Sequence, residues 1–284
     1  MTEHPTQRLT HHLTVDGGTL AYEVTGTGPL VVLAHGMGDD RQAYRDVVPA
    51  LVAAGHRVAS VDLRGCGESS ATWPSYSRTD IAGDLVALVE HLGGPAVLVG
   101  HSISGGAVTI AAAQAPALIT ALVEITPFTR AQSVSLRDLR VSRVRRGFRH
   151  LLLAALLGST RQWSRYLDVA TPAPRPAGWD ARLAHVEAML REPGRMKALQ
   201  GMGKSAPTDA GEQLAAVRCP VLVIQGDLDP DWASPRAEGE AILAALPAGL
   251  GRLEVVEGAG HYPHVQHPAQ VAALITSFLA AARA

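Results

Sequence analysis

Short apolar runs alternate with helically spaced apolar positions along most of the chain. Thr10 to Val15 and Thr19 to Val24 read as two strands around the turn signal Asp16-Gly17-Gly18. Gly26 to Pro29 marks a second tight turn. Leu30 to Leu33 is apolar throughout and too short for a helix, which predicts a buried strand. Tyr44, Val47, Val48, Leu51 and Val52 recur at helical spacing, and Arg57 to Val61 is the next strand. Ile81, Leu85, Leu88, Val89 and Leu92 form a helical stripe. Ala96 to Val99 predicts a strand and Ser104 to Gln114 a helix. Leu118 to Ile125 is a further apolar run that stops before Pro127.

The rhythm changes after Pro127. From Phe128 to about Gly211 no strand pattern is visible. Leu139, Val141, Val144, Phe148, Leu151 and Leu152 keep helical spacing, with breaks at Pro172, Pro174, Pro176 and Pro193. Alternation then resumes: strand Val221 to Ile224, helix Ala237 to Leu246, strand Arg252 to Val256 and helix Pro268 to Ala282. Such alternation predicts an α/β protein, a mostly parallel eight-stranded sheet flanked by helices on both faces. The expected organisation is a core of residues 1–127 and 212–284 carrying an inserted helical cap, or lid, at 128–211.

Composition narrows the function classes. The chain has 284 residues and a formal net charge of −1, with 47% hydrophobic and 18% charged residues. It can bury a sizeable core, and its near-neutral balance argues against a nucleic-acid partner. Only Cys66 and Cys219 are present, far apart in sequence, which excludes a disulfide framework and suits a reducing compartment. The start is polar, with His4, His11 and His12, and lacks a basic-then-apolar leader. The longest nearly pure apolar run, Leu151 to Leu157, is too short to span a bilayer. The expectation is a cytoplasmic protein with a small-molecule substrate and no membrane partner; the oligomeric state stays open.

The stretch Ala96-Val-Leu-Val-Gly-His-Ser-Ile-Ser-Gly-Gly106 runs a strand straight into a helix through Ser102. Small residues at Gly100, Ser104, Gly105 and Gly106 allow the close approach of a sharp strand–helix turn. Such a turn lifts the serine hydroxyl above the sheet and aims backbone N–H groups at a developing anion. An ordinary glycine-rich turn is the plainer account of this stretch alone. Three further features agree with the chemical one. His35-Gly36 ends an earlier strand, so the Met37 N–H can join that of Ile103 in an oxyanion hole. Val221-Leu-Val-Ile-Gln-Gly-Asp-Leu-Asp-Pro230 brings carboxylates to a late strand end. Val256-Glu-Gly-Ala-Gly-His-Tyr-Pro263 places His261 after the last strand. Ser, Asp and His thus follow in order at carboxyl ends of strands, the edge where parallel sheets bind ligands.

These motifs, with Asp62-Leu-Arg-Gly-Cys-Gly-Glu-Ser69, make the chain resemble the α/β-hydrolase fold superfamily over nearly its whole length. The resemblance implies Ser102 as nucleophile, His261 as base and Asp229 as the acid that orients it. Met37 and Ile103 would donate the oxyanion-hole N–H groups. Serine at 104 departs from the usual G-x-S-x-G pattern but is small enough for the turn. The serine nucleophile excludes the dehalogenases and epoxide hydrolases of this fold, which use aspartate. The implied activity is a serine hydrolase cleaving a carboxylic ester or lactone through an acyl-enzyme. Thioesterase or perhydrolase chemistry, and a slow hydrolase-like ligand sensor, fit the same residues. A lyase or a cofactor-free oxygenase would fit the same scaffold.

The acid position is contested. Asp227 directly follows Gly226 and is too early, and Asp231 follows Pro230 and is expected at solvent or as a helix cap. Glu124 is the rival, since some relatives place the acid after that strand, and its apolar setting requires a partner. Gly26-Thr27-Gly28 has no helix after it, so a phosphate loop is not expected. His261, His264 and His267 are interrupted by prolines, so no metal site is expected, and no cofactor is implied. His101 is expected to point away from the site, and Cys66 to be a small filler. Arg137, Arg140, Arg143, Arg145, Arg146 and Arg149 would attract an anionic substrate or a membrane surface. A solvated lid face is the simpler account.

Overall fold

The structure is a computed structural model and describes residues 9–131, 135–205 and 208–282. His4 lies outside them. Eight strands form one sheet: β1 (His11–Val15), β2 (Gly18–Thr25), β3 (Leu30–Ala34), β4 (Arg57–Val61), β5 (Ala96–His101), β6 (Ile119–Ile125), β7 (Val221–Gly226) and β8 (Gly251–Val256). Their order across the sheet is β1-β2-β4-β3-β5-β6-β7-β8. β1 and β2 form the expected hairpin, and β2 runs antiparallel to β4. Every pairing from β4 to β8 is parallel. The central strands are buried on both faces, which is why they read as unbroken apolar runs.

Side-chain alternation along each strand feeds two apolar layers. On one face, Val32, Leu98 and Leu122 pack under α2 (Arg78–His91) and α3 (Ile103–Gln114). On the other, Val31, Val99 and Val123 pack under α1 (Val48–Ala53) and the closing helix Pro268–Ala281. The Asp62 to Ser69 loop is held by charge. Asp62 accepts the Arg41 and Glu68 N–H groups at 2.7 and 2.8 Å and pairs with the Arg41 guanidinium. Gly67 has φ +47°, and a Cβ there would overlap the Asp62 carboxylate at 2.1 Å. A side chain at 67 would therefore break the loop.

Between β6 and β7 lie α4 (Ser142–Leu157), α5 (Thr160–Ala170), α6 (Trp179–Arg191), α7 (Arg195–Lys204) and α8 (Thr208–Gln213). No strand occurs in this stretch among the described residues. Trp163, Tyr166, Val186, Met189 and Leu199 form an apolar cluster of their own, which also takes Tyr262 and Val265 from the core. Polar contacts fasten α6 to the loop after β3: Arg182 Nη2 donates to Asp39 Oδ2 at 2.5 Å, and His185 bonds Asp40. Met202 of α7 and Ala210 of α8 join the main core under α2 and α3. None of the helices is long and apolar enough to cross a membrane among the described residues.

Candidate active site

Ser102 sits between the end of β5 and the start of α3 with φ 56° and ψ −118°, a backbone conformation that non-glycine residues rarely adopt. Its neighbours impose this. A Cβ on Gly100 would lie 2.3 Å from Ser104 O, and one on Gly105 would lie 2.4 Å from Pro127 Cβ. Ser104 is fully buried and donates its hydroxyl to His35 O at 2.6 Å. The residue that departs from the usual glycine thus fastens the serine turn to the His35-Gly36-Met37 loop. Gly36 lets that loop approach: a Cβ there would meet the His101 ring at 2.7 Å and Ser102 Cβ at 3.1 Å. Among the described residues the Met37 N–H has no acceptor, and Ile103 opens α3, at the position whose N–H has no i−4 partner within the helix.

His261 is almost sealed, with 2% exposure, and Asp229 is fully buried. His261 Nδ1 lies 2.9 Å from Asp229 Oδ2. The loop carrying His261 is fixed from three sides. Its N–H donates to Ala170 O at 2.8 Å, and its carbonyl accepts from His101 Nε2 at 2.8 Å and Thr126 Oγ1 at 2.9 Å. His101 is therefore a support for the His261 loop. Burial holds its pKa well below the ordinary imidazole range, so it is neutral. Phe128 lies between Ser102 and His261, donating its N–H to Ser102 O at 3.0 Å and setting its ring edge-on to His261.

Asp231 overturns the expectation of a solvent-facing residue. It is 4% exposed, its Oδ2 lies 3.3 Å from His261 Nδ1, and the same oxygen accepts the Tyr166 hydroxyl at 2.7 Å. Its N–H donates to Asp229 Oδ1 at 2.9 Å, so Pro230 folds the chain back upon the first carboxylate. Burial, reinforced by the Asp229 charge, pushes Asp231 up to about 7. Burial alone would depress His261, but Asp229 and Asp231 outweigh it and raise His261 above its ordinary value. Asp229, Asp231 and His261 offer donor atoms within 4.8 Å of one another, a spacing a metal ion would accept. Those atoms are already engaged with each other and with Tyr166. The geometry is that of a hydrogen-bonded imidazole with two carboxylates.

Glu124 is fully buried but elsewhere. In β6 it alternates with Val123 and Ile125 and so faces α3, where Thr109 Oγ1 donates to Glu124 Oε1 at 2.5 Å. Burial pushes its pKa up to about 7. Asp227 lies at the strand end, its N–H on Val256 O at 3.3 Å. His264 is sealed between the Tyr44 and His101 rings at 4.8 and 4.6 Å. Arg143 leaves the exposed basic face and donates to Asp229 O, Trp232 O and Ala233 O at 3.2, 3.2 and 2.9 Å, tying α4 to the acid loop. Cys66 is buried, and burial pushes its thiol up to about 12.

A cavity of about 340 Å³ adjoins Ser102. Met37 and Ile103 of the core line it, with Phe128, Leu151, Leu152 and Trp163 of the inserted stretch. Of the apolar run in α4, Leu156 and Leu157 instead face outward. Tyr166 carries no sequence signal as a site residue: it reaches the site only through its hydroxyl on Asp231, far along the chain.

The sheet order, the strained serine corner and the histidine after the last strand define an α/β hydrolase. The chain belongs to the alpha/beta hydrolase family, whose model matches residues 31–274, and is a hydrolase-type enzyme. It is 27% identical over 274 residues to 2-(acetamidomethylene)succinate hydrolase of Mesorhizobium japonicum, covering 92% of this chain and 91% of that protein. A thermophilic esterase from Thermogutta terrifontis superposes with a TM-score of 0.72 at 26% identity, covering 98% of this chain and 100% of that one. A carboxylesterase from Bacillus subtilis shares the fold at 19% identity, with a TM-score of 0.77 and 97% and 92% coverage.

Proposed function

We propose that the protein is a serine hydrolase that cleaves a carboxylic ester or lactone through an acyl-enzyme on Ser102. The observation that carries this is the buried Asp229–His261 hydrogen bond behind a serine on a strained strand–helix corner. Asp229 occupies His261 Nδ1 and so fixes the tautomer in which Nε2 is the basic nitrogen. Nε2 takes the Ser102 proton, Oγ attacks the carbonyl carbon, and the Met37 and Ile103 N–H groups receive the oxyanion. His261 then returns the proton to the leaving alcohol. Water repeats the sequence on the acyl-enzyme and releases the acid. The helices of residues 128–211 act as a cap that bounds the acyl pocket. The names of two relatives, a succinate-derivative hydrolase and an esterase, support carbonyl hydrolysis.

The test is initial rates on aryl esters, lactones and thioesters across pH. Esters or lactones are expected to turn over fastest. Negligible turnover of all three classes would oppose the reading. His261 must be neutral to act, and the Asp229 and Asp231 charges raise its pKa above the ordinary imidazole value, so kcat/KM should climb with pH through the neutral range and above. Asp231→Asn removes one negative charge beside the imidazolium while keeping an acceptor for Tyr166. It should therefore move the acidic limb to lower pH. A limb that stays put, or moves up, would remove Asp231 from the base's environment.

A further inference from the structure

The cavity beside Ser102 is mostly apolar, yet its wall carries a guanidinium. Arg78 opens α2, is 5% exposed, and lines the same cavity as Ser102. Its stem crosses Gly106, where a Cβ would lie 2.7 Å from Arg78 Cδ. Gly106 is about one helical turn, ~5.4 Å, along α3 from the serine corner. Arg78 Nε donates to Phe128 O at 3.0 Å, and Nη1 donates to Ser205 O and Oγ at 2.7 and 3.1 Å. All three acceptors are uncharged. Nη2 has no hydrogen bond among the described residues.

No carboxylate forms an ion pair with Arg78 among the described residues. Asp209 adds a favourable field from a distance, and its Oδ2 takes the Thr79 hydroxyl at 3.0 Å. Burial pushes Arg78 down to about 10, which leaves it a cation at neutral pH. Other buried arginines are matched: Arg41 by Glu23 and Asp62, Arg64 by Asp84, Arg182 by Asp39. A desolvated cation without a counter-ion is costly, and a pocket ligand can supply the missing charge. Lys204, exposed at the rim of the same cavity, adds a second positive charge.

We propose that Arg78 receives a carboxylate carried on the acyl side of the substrate, so that the natural substrates are anionic esters with a short apolar spacer. The spacer fills the cavity between the scissile carbonyl at Ser102 and the carboxylate at the guanidinium. Nη2, which has no partner among the described residues, supplies the charge-assisted hydrogen bonds. The inference rests on the ester-hydrolase reading and names its substrate class. Because Phe128 O and Ser205 O flank the inserted helices, Arg78 also clasps them to the core. Loss of that clasp would weaken turnover of every substrate alike, so the decisive quantity is a ratio between substrates.

Mono-p-nitrophenyl glutarate and adipate are compared with their uncharged methyl esters in the wild type, Arg78→Gln and Arg78→Lys. The wild type should favour the carboxylates in kcat/KM by roughly tenfold to a hundredfold. Arg78→Gln should bring that ratio to about one, and Arg78→Lys should keep part of it. A wild-type ratio near one, or a ratio that Arg78→Gln leaves unchanged, overturns the proposal. A second readout does not need turnover: monomethyl glutarate should raise the Tm of Ser102→Ala, dimethyl glutarate should not, and Ser102→Ala/Arg78→Gln should not respond. Stabilisation without turnover in the wild type would sink the hydrolase reading and keep the anion site. Brisk turnover of neutral esters with no carboxylate preference would do the reverse.

Discussion

Replacing Ser102 with alanine is expected to lower kcat on the best ester by roughly 10⁴–10⁶-fold, because no other group can form the acyl-enzyme. The residual rate comes from binding and from the two backbone N–H groups alone. Ser104 cannot substitute, since its hydroxyl is buried and spent on His35 O at 2.6 Å. The variant should fold, because the φ of 56° is imposed by Gly100, Gly105 and the strand–helix junction rather than by the hydroxyl. An unfolding midpoint close to the wild type, measured beside the kinetics, separates lost chemistry from lost structure. A loss below about tenfold in a folded variant would assign the nucleophile elsewhere.

Asp229→Asn should cost about 10⁴-fold in kcat, as the amide can hold the imidazole in the wrong tautomer and cannot stabilise the imidazolium. Glu124→Gln should stay within about fivefold, since its contact is with Thr109 on the α3 face and the amide oxygen can keep accepting that hydroxyl. Asp231 makes the experiment sharper. It lies 3.3 Å from His261 Nδ1, so a partial rescue of Asp229→Asn by Asp231 would appear as a residual rate that Asp229→Asn/Asp231→Asn removes. If Glu124→Gln proved the more damaging single change, the acid would have to be moved to β6.

Most of the sheet was readable because its central strands are buried on both faces and therefore apolar without interruption, as in Leu30–Ala34 and Val221–Gly226. The glycines of the serine corner were readable for a related reason: backbone atoms meet there, and only small residues fit. What escaped the sequence was fixed by partners far along the chain. Asp231 looks like a helix cap beside Pro230, yet Tyr166, in an inserted helix, draws it under His261. Arg143 belongs to a basic run that reads as solvated, yet it closes on three carbonyls of the acid loop. Arg78 looks like an ordinary first-turn residue of an amphipathic helix. Only the fold shows that its head enters a cavity without a counter-charge.

The central claim is that Ser102 is a nucleophile activated by His261. It is tested most directly by reaction with a fluorophosphonate and peptide mapping by mass spectrometry. One equivalent of probe should attach to Ser102, the labelling rate should rise with pH along with kcat/KM, and Ser102→Ala should take up none. Adduct on Ser104 or another residue, or undiminished labelling of Ser102→Ala, would contradict the claim.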